Sequence, residues 1–135
     1  MGRVPAMILL DTHIWVWLAD GGENLREAHH EAIAVHRSDG LCVSAISCWE
    51  VAKLVEYGRL ELTINISTWM QAALHLPGIR RVELTPRVAI ASTQLPGEFH
   101  KDPADQMIVA TARLHEMALL TEDRKIRAYE HVRVI

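Results

Sequence analysis

Met7-Ile8-Leu9-Leu10-Asp11-Thr12-His13-Ile14-Trp15 reads as a short apolar strand that ends on an acid and passes at once into a helix. The same pattern returns twice. Leu41-Cys42-Val43 precedes a helix that Ser44 or Ser47 starts, and Ala118-Leu119-Leu120-Thr121 is closed by Glu122-Asp123 before another short helix. Apolar runs alternating with helical patterns indicate βα units around a mainly parallel sheet, so the fold class is α/β.

Working outward from the first unit, a helix through Ile14, Trp15 and Leu18 stops at Gly21-Gly22. A second runs from about Leu25 to Ser38, with Asn24 as its N-cap and Gly40 past its end. The helix after Val43 ends before Gly58, and Ser67 caps one containing Trp69, Ala72, Ala73 and Leu76, ended by Pro77-Gly78. Ile79 to Leu84 alternates apolar and charged residues, as in a half-exposed or edge strand. Thr85-Pro86 and Asp102-Pro103 are two cap-plus-proline helix starts. Their helices extend to about Leu95 and about Glu116, and Val132 to Ile135 supplies a last strand. About five strands with helices between them are expected.

The 135 residues fit one domain over 1–135, large enough for a real core. Hydrophobic residues at 50% and charged residues at 23% exclude a disordered chain. The first apolar run is broken by Asp11, so neither a membrane span nor a signal-peptide core is expected. A net charge of −3 confines any nucleic-acid contact to a local patch. Cys42 and Cys48 read as small apolar groups on a strand and the next helix rather than a disulfide, and a cytoplasmic location follows.

Four acids, Asp11, Glu50, Asp105 and Asp123, follow strands or open helices in separate units. Each has an ordinary explanation. Asp11 and Asp123 suit N-caps, Ser47-Cys48-Trp49-Glu50 matches a capping box, and Asp105 suits the dipole of a helix capped by Asp102. Together they carry more. Of six aspartates, three sit at such corners, while Asp20 and Asp39 read as solvated loop residues. In a parallel sheet these corners converge at the carboxyl edge, where uncompensated acids repel unless a divalent cation neutralises them. Oxygen ligands without His or Cys at metal spacing favour Mg²⁺ or Mn²⁺ over Zn²⁺.

Several longer stretches make the chain resemble a PIN-domain nuclease, and within that group the VapC-type toxin of a VapBC toxin–antitoxin pair. They are Leu9-Leu10-Asp11-Thr12-His13, then Ser47-Cys48-Trp49-Glu50-Val51-Ala52 with Gly58-Arg59-Leu60, then Leu84-Thr85-Pro86. Leu95 through Asp105, followed by Ile108-Val109-Ala110-Thr111-Ala112, and Leu120-Thr121-Glu122-Asp123 complete the set. The segment Asp102-Pro103-Ala104-Asp105 with the helix behind it is the most specific part. Residues 1–6 fall outside the resemblance and read as an upstream extension.

The resemblance implies a three-layer α/β/α sandwich, an endoribonuclease that hydrolyses RNA phosphodiesters with a metal-activated water, and inhibition by a cognate antitoxin. It places Asp11, Glu50, Asp105 and Asp123 at the family's metal positions, with Mg²⁺ or Mn²⁺ as cofactor. Thr121 matches a supporting hydroxyl beside the last acid. Two other readings were weighed. One is a catalytically silent binding module. The other is a phospho-accepting receiver, which lacks paired acids after the first strand and a Lys near Val132-Arg133-Val134-Ile135.

Of eight histidines, His29, His30 and His36 lie on one polar helix, and most are expected at the surface; His13 and His100 flank the acids. Lys53, Arg59, His100 and Lys101 are candidate RNA contacts, and Arg80 and Arg81 lie on the half-exposed strand. Core packing is the default for Trp15, Trp17, Trp49 and Trp69. Ile14 to Leu18 is apolar all round, which calls for an extra layer or an interface. The expectation is a homodimer or an antitoxin groove.

Overall fold

The ladder that organises the molecule has its centre in β1 (Ile8–Leu10), paired in parallel with β2 (Leu41–Ser44) on one side and β4 (Ala118–Leu120) on the other. β3 (Ile79–Val82) extends β2, giving four parallel strands in the order β3-β2-β1-β4. This is a computed structural model, and it describes residues 6–135. The expectation for residues 1–5 lies outside them.

Seven helices complete the chain: α1 (Thr12–Ala19), α2 (Glu27–His36), α3 (Ala45–Glu56), α4 (Ile66–Leu74), α5 (Pro86–Ser92), α6 (Pro103–Leu114) and α7 (Arg124–Arg127). Side chains alternate across each strand, and the two halves of the core follow that period of two. Ile8, Leu10, Leu41, Val43, Ala118 and Leu120 face one layer, with Ile14 and Trp15 of α1, Ile33 of α2 and Trp69 of α4. Leu9, Cys42 and Leu119 face the other, with Ile108, Val109 and Ala112 of α6 and Ile126 of α7. The result is a three-layer α/β/α sandwich.

Strand order also locates the site. From β1 the chain steps outward to β2 and β3, then returns to the far side of β1 as β4. The direction in which strands are added to the sheet therefore reverses between β1 and β4, the place where α/β sheets build ligand sites beyond their carboxyl ends. Asp11 and Thr121 are the residues that leave those two strands, and Asp11 N–H donates to Leu120 O at 3.0 Å.

Several expectations are corrected. The fifth strand is reduced to one parallel bridge, Leu119 to Val134, because only Arg133 O and Ile135 N bond β4 there. The helix expected from Leu25 is capped at Arg26, not Asn24, and His29 Nδ1 accepts the Arg26 N–H at 3.0 Å. Asn65 rather than Ser67 caps α4, accepting from Thr68 N–H. Ser44 starts α3, so Ser47 sits inside the helix and the Ser47–Glu50 capping box does not form. The caps at Thr85 and Asp102 form as read. So does the edge position of β3, with Arg80 and Arg81 exposed.

Among the tryptophans, Trp15 is wholly buried, stacked edge-on to Trp69 at 5.3 Å, and its indole donates to Ala73 O at 3.0 Å. α4 is thus the extra layer over much of Ile14–Leu18, while Trp17 and Leu18 stay half-buried. Trp49 departs from the core expectation and is 50% exposed. Asp20 also is not simply solvated, since it accepts from the Trp69 indole at 3.2 Å. Cys42 and Cys48 are free thiols on β2 and α3. Among the described residues no helix is long and apolar enough to cross a membrane.

Candidate active site

Asp11 is buried at the end of β1, where a bare carboxylate is costly unless its oxygens are bonded. Its Oδ1 accepts the Thr12 N–H at 2.9 Å and caps α1, and its Oδ2 accepts the Thr121 hydroxyl at 2.6 Å. Burial pushes its pKa up, and the Thr121 and Thr12 bonds oppose that rise. Two lone-pair positions remain on the carboxylate after these bonds.

Thr121 is fully buried at the end of β4. Its oxygen donates to Asp11 and accepts the Asp123 N–H at 3.0 Å, so one hydroxyl ties the ends of the two central strands together. Asp123 then caps α7, with Oδ1 accepting from Lys125 and Ile126 N–H. The cap reading of Asp123 is correct, and its second oxygen is left over for the site. The adjoining loop is braced from outside, where Glu122 Oε1 meets the Arg26 guanidinium and lies 2.6 Å from His29 Nε2. His29 is therefore buried, a correction to its place on a polar face: it closes the start of α2 and holds this loop.

Glu50 projects from the second turn of α3. Its pKa is raised chiefly by burial, with the Thr12 hydroxyl opposing and Asp11 and Asp102 adding repulsion. Thr12 and Ser47 hydroxyls lie 2.8 Å apart and lock α1 to α3 beside it. Asp105, at the third position of α6, donates its amide N–H to Oδ1 of the Asp102 cap at 3.0 Å. Its own carboxyl is pushed up to about 8, first by burial, then by the charges of Asp11, Asp102, Asp123 and Glu50. All four expected acids, together with Asp102, thus meet in one electrostatic cluster, with Asp105 at its hub.

Two subsets have ligand atoms within 4.8 Å of one another: His100, Asp105 and Asp123, and Glu50, Asp102 and Asp105. Asp11 lies beside both without belonging to either. Two of these possible donors lie outside the expected ligand set. Asp102 was read only as a cap, although its i,i+3 spacing to Asp105 places both on one helix face. His100 was read as a phosphate or loop residue, yet its Nε2 is 3.1 Å from Asp105 Oδ2. That nitrogen is buried and has no hydrogen-bond partner among the described residues. One of the two candidate groups is oxygen-only, as expected from the sequence, and the other adds an imidazole to the carboxylates.

These donors fit a divalent cation. A hub carboxyl that resists ionisation through burial and its acidic neighbours, and a ring nitrogen beside it without a hydrogen bond of good geometry, are both relieved by a bound positive ion. The other expected contacts surround the cluster less closely. His13 is exposed against Trp17, while Arg59 and Lys101 are exposed loop residues. Lys53 pairs with Glu56 at 2.8 Å and lies over the Tyr57 ring.

The PIN-domain family model matches residues 8–132, nearly the whole chain. The chain belongs to the PIN-domain family. It is 40% identical over 129 residues to Ribonuclease VapC22 of Mycobacterium tuberculosis (strain ATCC 25618 / H37Rv), covering 95% of each protein. Its fold is shared with VapBC2 from Rickettsia felis bound to a promoter DNA fragment, with a TM-score of 0.69 and 12% identity over 96% of this chain and 97% of that one. A toxin–antitoxin complex from Klebsiella pneumoniae gives a TM-score of 0.64 and 21% identity over 95% of each chain. The strand ends that carry the acids lie within this PIN-domain match.

Proposed function

We propose that this PIN-domain protein is a Mg²⁺- or Mn²⁺-dependent endoribonuclease, the toxin of a toxin–antitoxin pair acting in the cytoplasm. One observation carries the reading: four carboxylates, Asp11, Glu50, Asp102 and Asp123, converge on a fifth, Asp105, at the switch point of a parallel sheet. The 40% identity to a protein named as a ribonuclease supports RNA as the substrate.

Asp105, with Asp123 and His100 or with Glu50 and Asp102, would hold the ion, and Asp11 would add charge and its remaining lone pairs. When bound, the cation stabilises charge developing on the phosphoryl group and lowers the pKa of an attacking water. The protein's own part is positioning. Thr121 fixes Asp11 and the Asp123 turn, Asp102 fixes the start of α6, and the Thr12–Ser47 contact fixes α1 against Glu50. A cluster carrying this much negative charge repels RNA until a cation fills it, so substrate binding depends on metal.

Cleavage of single-stranded RNA is the direct test. Activity is expected with Mg²⁺ or Mn²⁺ and is lost in EDTA. Unchanged cleavage in EDTA would contradict the metal role, and no cleavage with either ion would leave a binding module.

The cognate antitoxin and a homodimer are the proposed protein partners, and the toxin–antitoxin complexes that share the fold support the first. Half-buried Trp17 and Leu18 supply apolar surface for such contacts. Trp17→Glu should weaken antitoxin affinity or reduce the solution mass from dimer to monomer. Unchanged values of both, by light scattering and a binding titration, would count against that surface.

A further inference from the structure

We propose that the cleft between the Gly97–His100 loop and the Lys125–His131 segment is a pocket for one base of a single-stranded RNA. The inference rests on the nuclease reading for its location beside the cut, but not for its chemistry. The cleft has a volume of about 560 Å³, within the range of about 300–1,000 Å³ typical of small-molecule sites.

Its wall is a continuous run of rings. His100 meets Phe99 at 4.4 Å, Phe99 meets Tyr129 at 4.8 Å, and Tyr129 meets His131 edge-on at 5.4 Å. The Tyr129 hydroxyl donates to Pro96 O and pins the loop to this wall. Tyr129 is buried and backs this wall, while the half-buried Phe99, His100 and His131 offer a base the stacking faces. Gly97 has a φ of +67, and a Cβ there would lie 3.4 Å from His131 Nε2, so the loop closes on the ring wall through a residue suited to that backbone.

The polar groups argue for a base rather than a phosphate. Glu98 and Glu130 are acceptors on the rim, and Lys125 is the one cation lining the cleft. Carboxylates repel a phosphate but accept hydrogen bonds from exocyclic amines. Guanine, adenine and cytosine carry such an amine, and uracil does not.

Position completes the case. His100 belongs both to this cleft and to the acid cluster, 3.1 Å from Asp105. A base seated against its ring has its own phosphate one ribose away, toward Asp105. The pocket therefore reads the identity of the nucleotide at the cut.

The test uses the full chain in EDTA, with adenosine, guanosine, cytidine, uridine and inorganic phosphate as probes, so that no base probe carries a charge the metal-free acids would repel, followed by calorimetry or NMR. The amine-bearing nucleosides should bind, with uridine at least about fivefold weaker. Ala128→Trp, which fills the cleft from α7's end, should weaken binding at least about tenfold. His131→Ala, which removes one stacking face, should act in the same direction and serves if the tryptophan variant misfolds. Absence of nucleoside binding, equal binding by both variants, or phosphate binding as well as the nucleosides would overturn the pocket. On RNA with metal, Ala128→Trp should still cleave but with a flattened base preference at the cut. If nucleosides bind in the cleft while no RNA is cleaved, the nuclease reading fails and the pocket stands.

Discussion

Asp105→Asn removes RNA cleavage and, in EDTA, leaves a protein more heat-stable than the wild type. The two effects have one cause. Asp105 is the residue both candidate ligand groups share, so its loss takes the charge that anchors the cation. Several kcal/mol of lost charge stabilisation correspond to a rate loss of about 10³-fold or more, at about 1.4 kcal/mol per factor of ten.

Stability moves the other way. The ordinary value for this carboxyl is 3.8, and in the fold it is pushed up to about 8. Between those values the folded state holds a proton that the unfolded state gives up. Fewer protons on the unfolded chain mean that stability falls as pH rises through this window. Asparagine cannot ionise and escapes the penalty. In EDTA near pH 7.5 its melting temperature should exceed that of the wild type, by about 3–5 °C for each kcal/mol recovered at this chain length. Near pH 4 the two should melt alike. Saturating divalent ion should raise the melting point of the wild type alone. Calorimetry across this range checks all three statements, and a variant that melts lower than the wild type in EDTA at every pH would refute them.

Thr121→Val is the second large effect. Valine keeps the shape but removes the hydroxyl that donates to Asp11 at 2.6 Å and accepts from Asp123 N–H at 3.0 Å. Two polar groups lose their shared partner in a buried place, at a cost of about 1–3 kcal/mol. The Thr121 bond is the strongest of the influences holding the Asp11 pKa down against burial, so that pKa rises further in the variant. Cleavage should drop about 10–100-fold, as for other residues that orient metal ligands, and its acidic limb should shift to higher pH. Thr121→Ser, which retains the hydroxyl, should recover most of the rate. Wild-type cleavage and pH profile in Thr121→Val would show that the hydroxyl does not position the acids.

Much of this was legible in the chain because the strands are short, apolar and followed at once by caps. β1, β2 and β4 each end within a residue or so of the position read from their apolar runs. The convergence of Asp11, Glu50, Asp105 and Asp123 followed from placing each acid after its own strand or at its own helix start. What escaped was what only tertiary packing decides. Val134 pairs through a single bridge because little of the terminal segment reaches β4. Ser44 outcompeted Ser47 as a cap, and Ser47 turned inward to meet Thr12. His29 looked like one of several surface histidines until Glu122 came to it from a residue 93 positions away. His100 was legible as a residue flanking the acids but not as a donor, since nothing in local spacing brings a loop imidazole to Asp105. Asp102 could have been found, because its spacing to Asp105 was already in view.

The central claim is that these acids bind one catalytic cation through Asp105. Calorimetric titration with Mn²⁺ near neutral pH, in two buffers of different ionisation enthalpy, tests it most directly. Because the Asp105 carboxyl is pushed up to about 8, the ion must displace its proton. The wild type should bind Mn²⁺ with release of close to one proton per ion, and Asp105→Asn should bind far more weakly with no such release. Absence of binding in the wild type, or the same affinity and proton count in Asp105→Asn, would contradict the account.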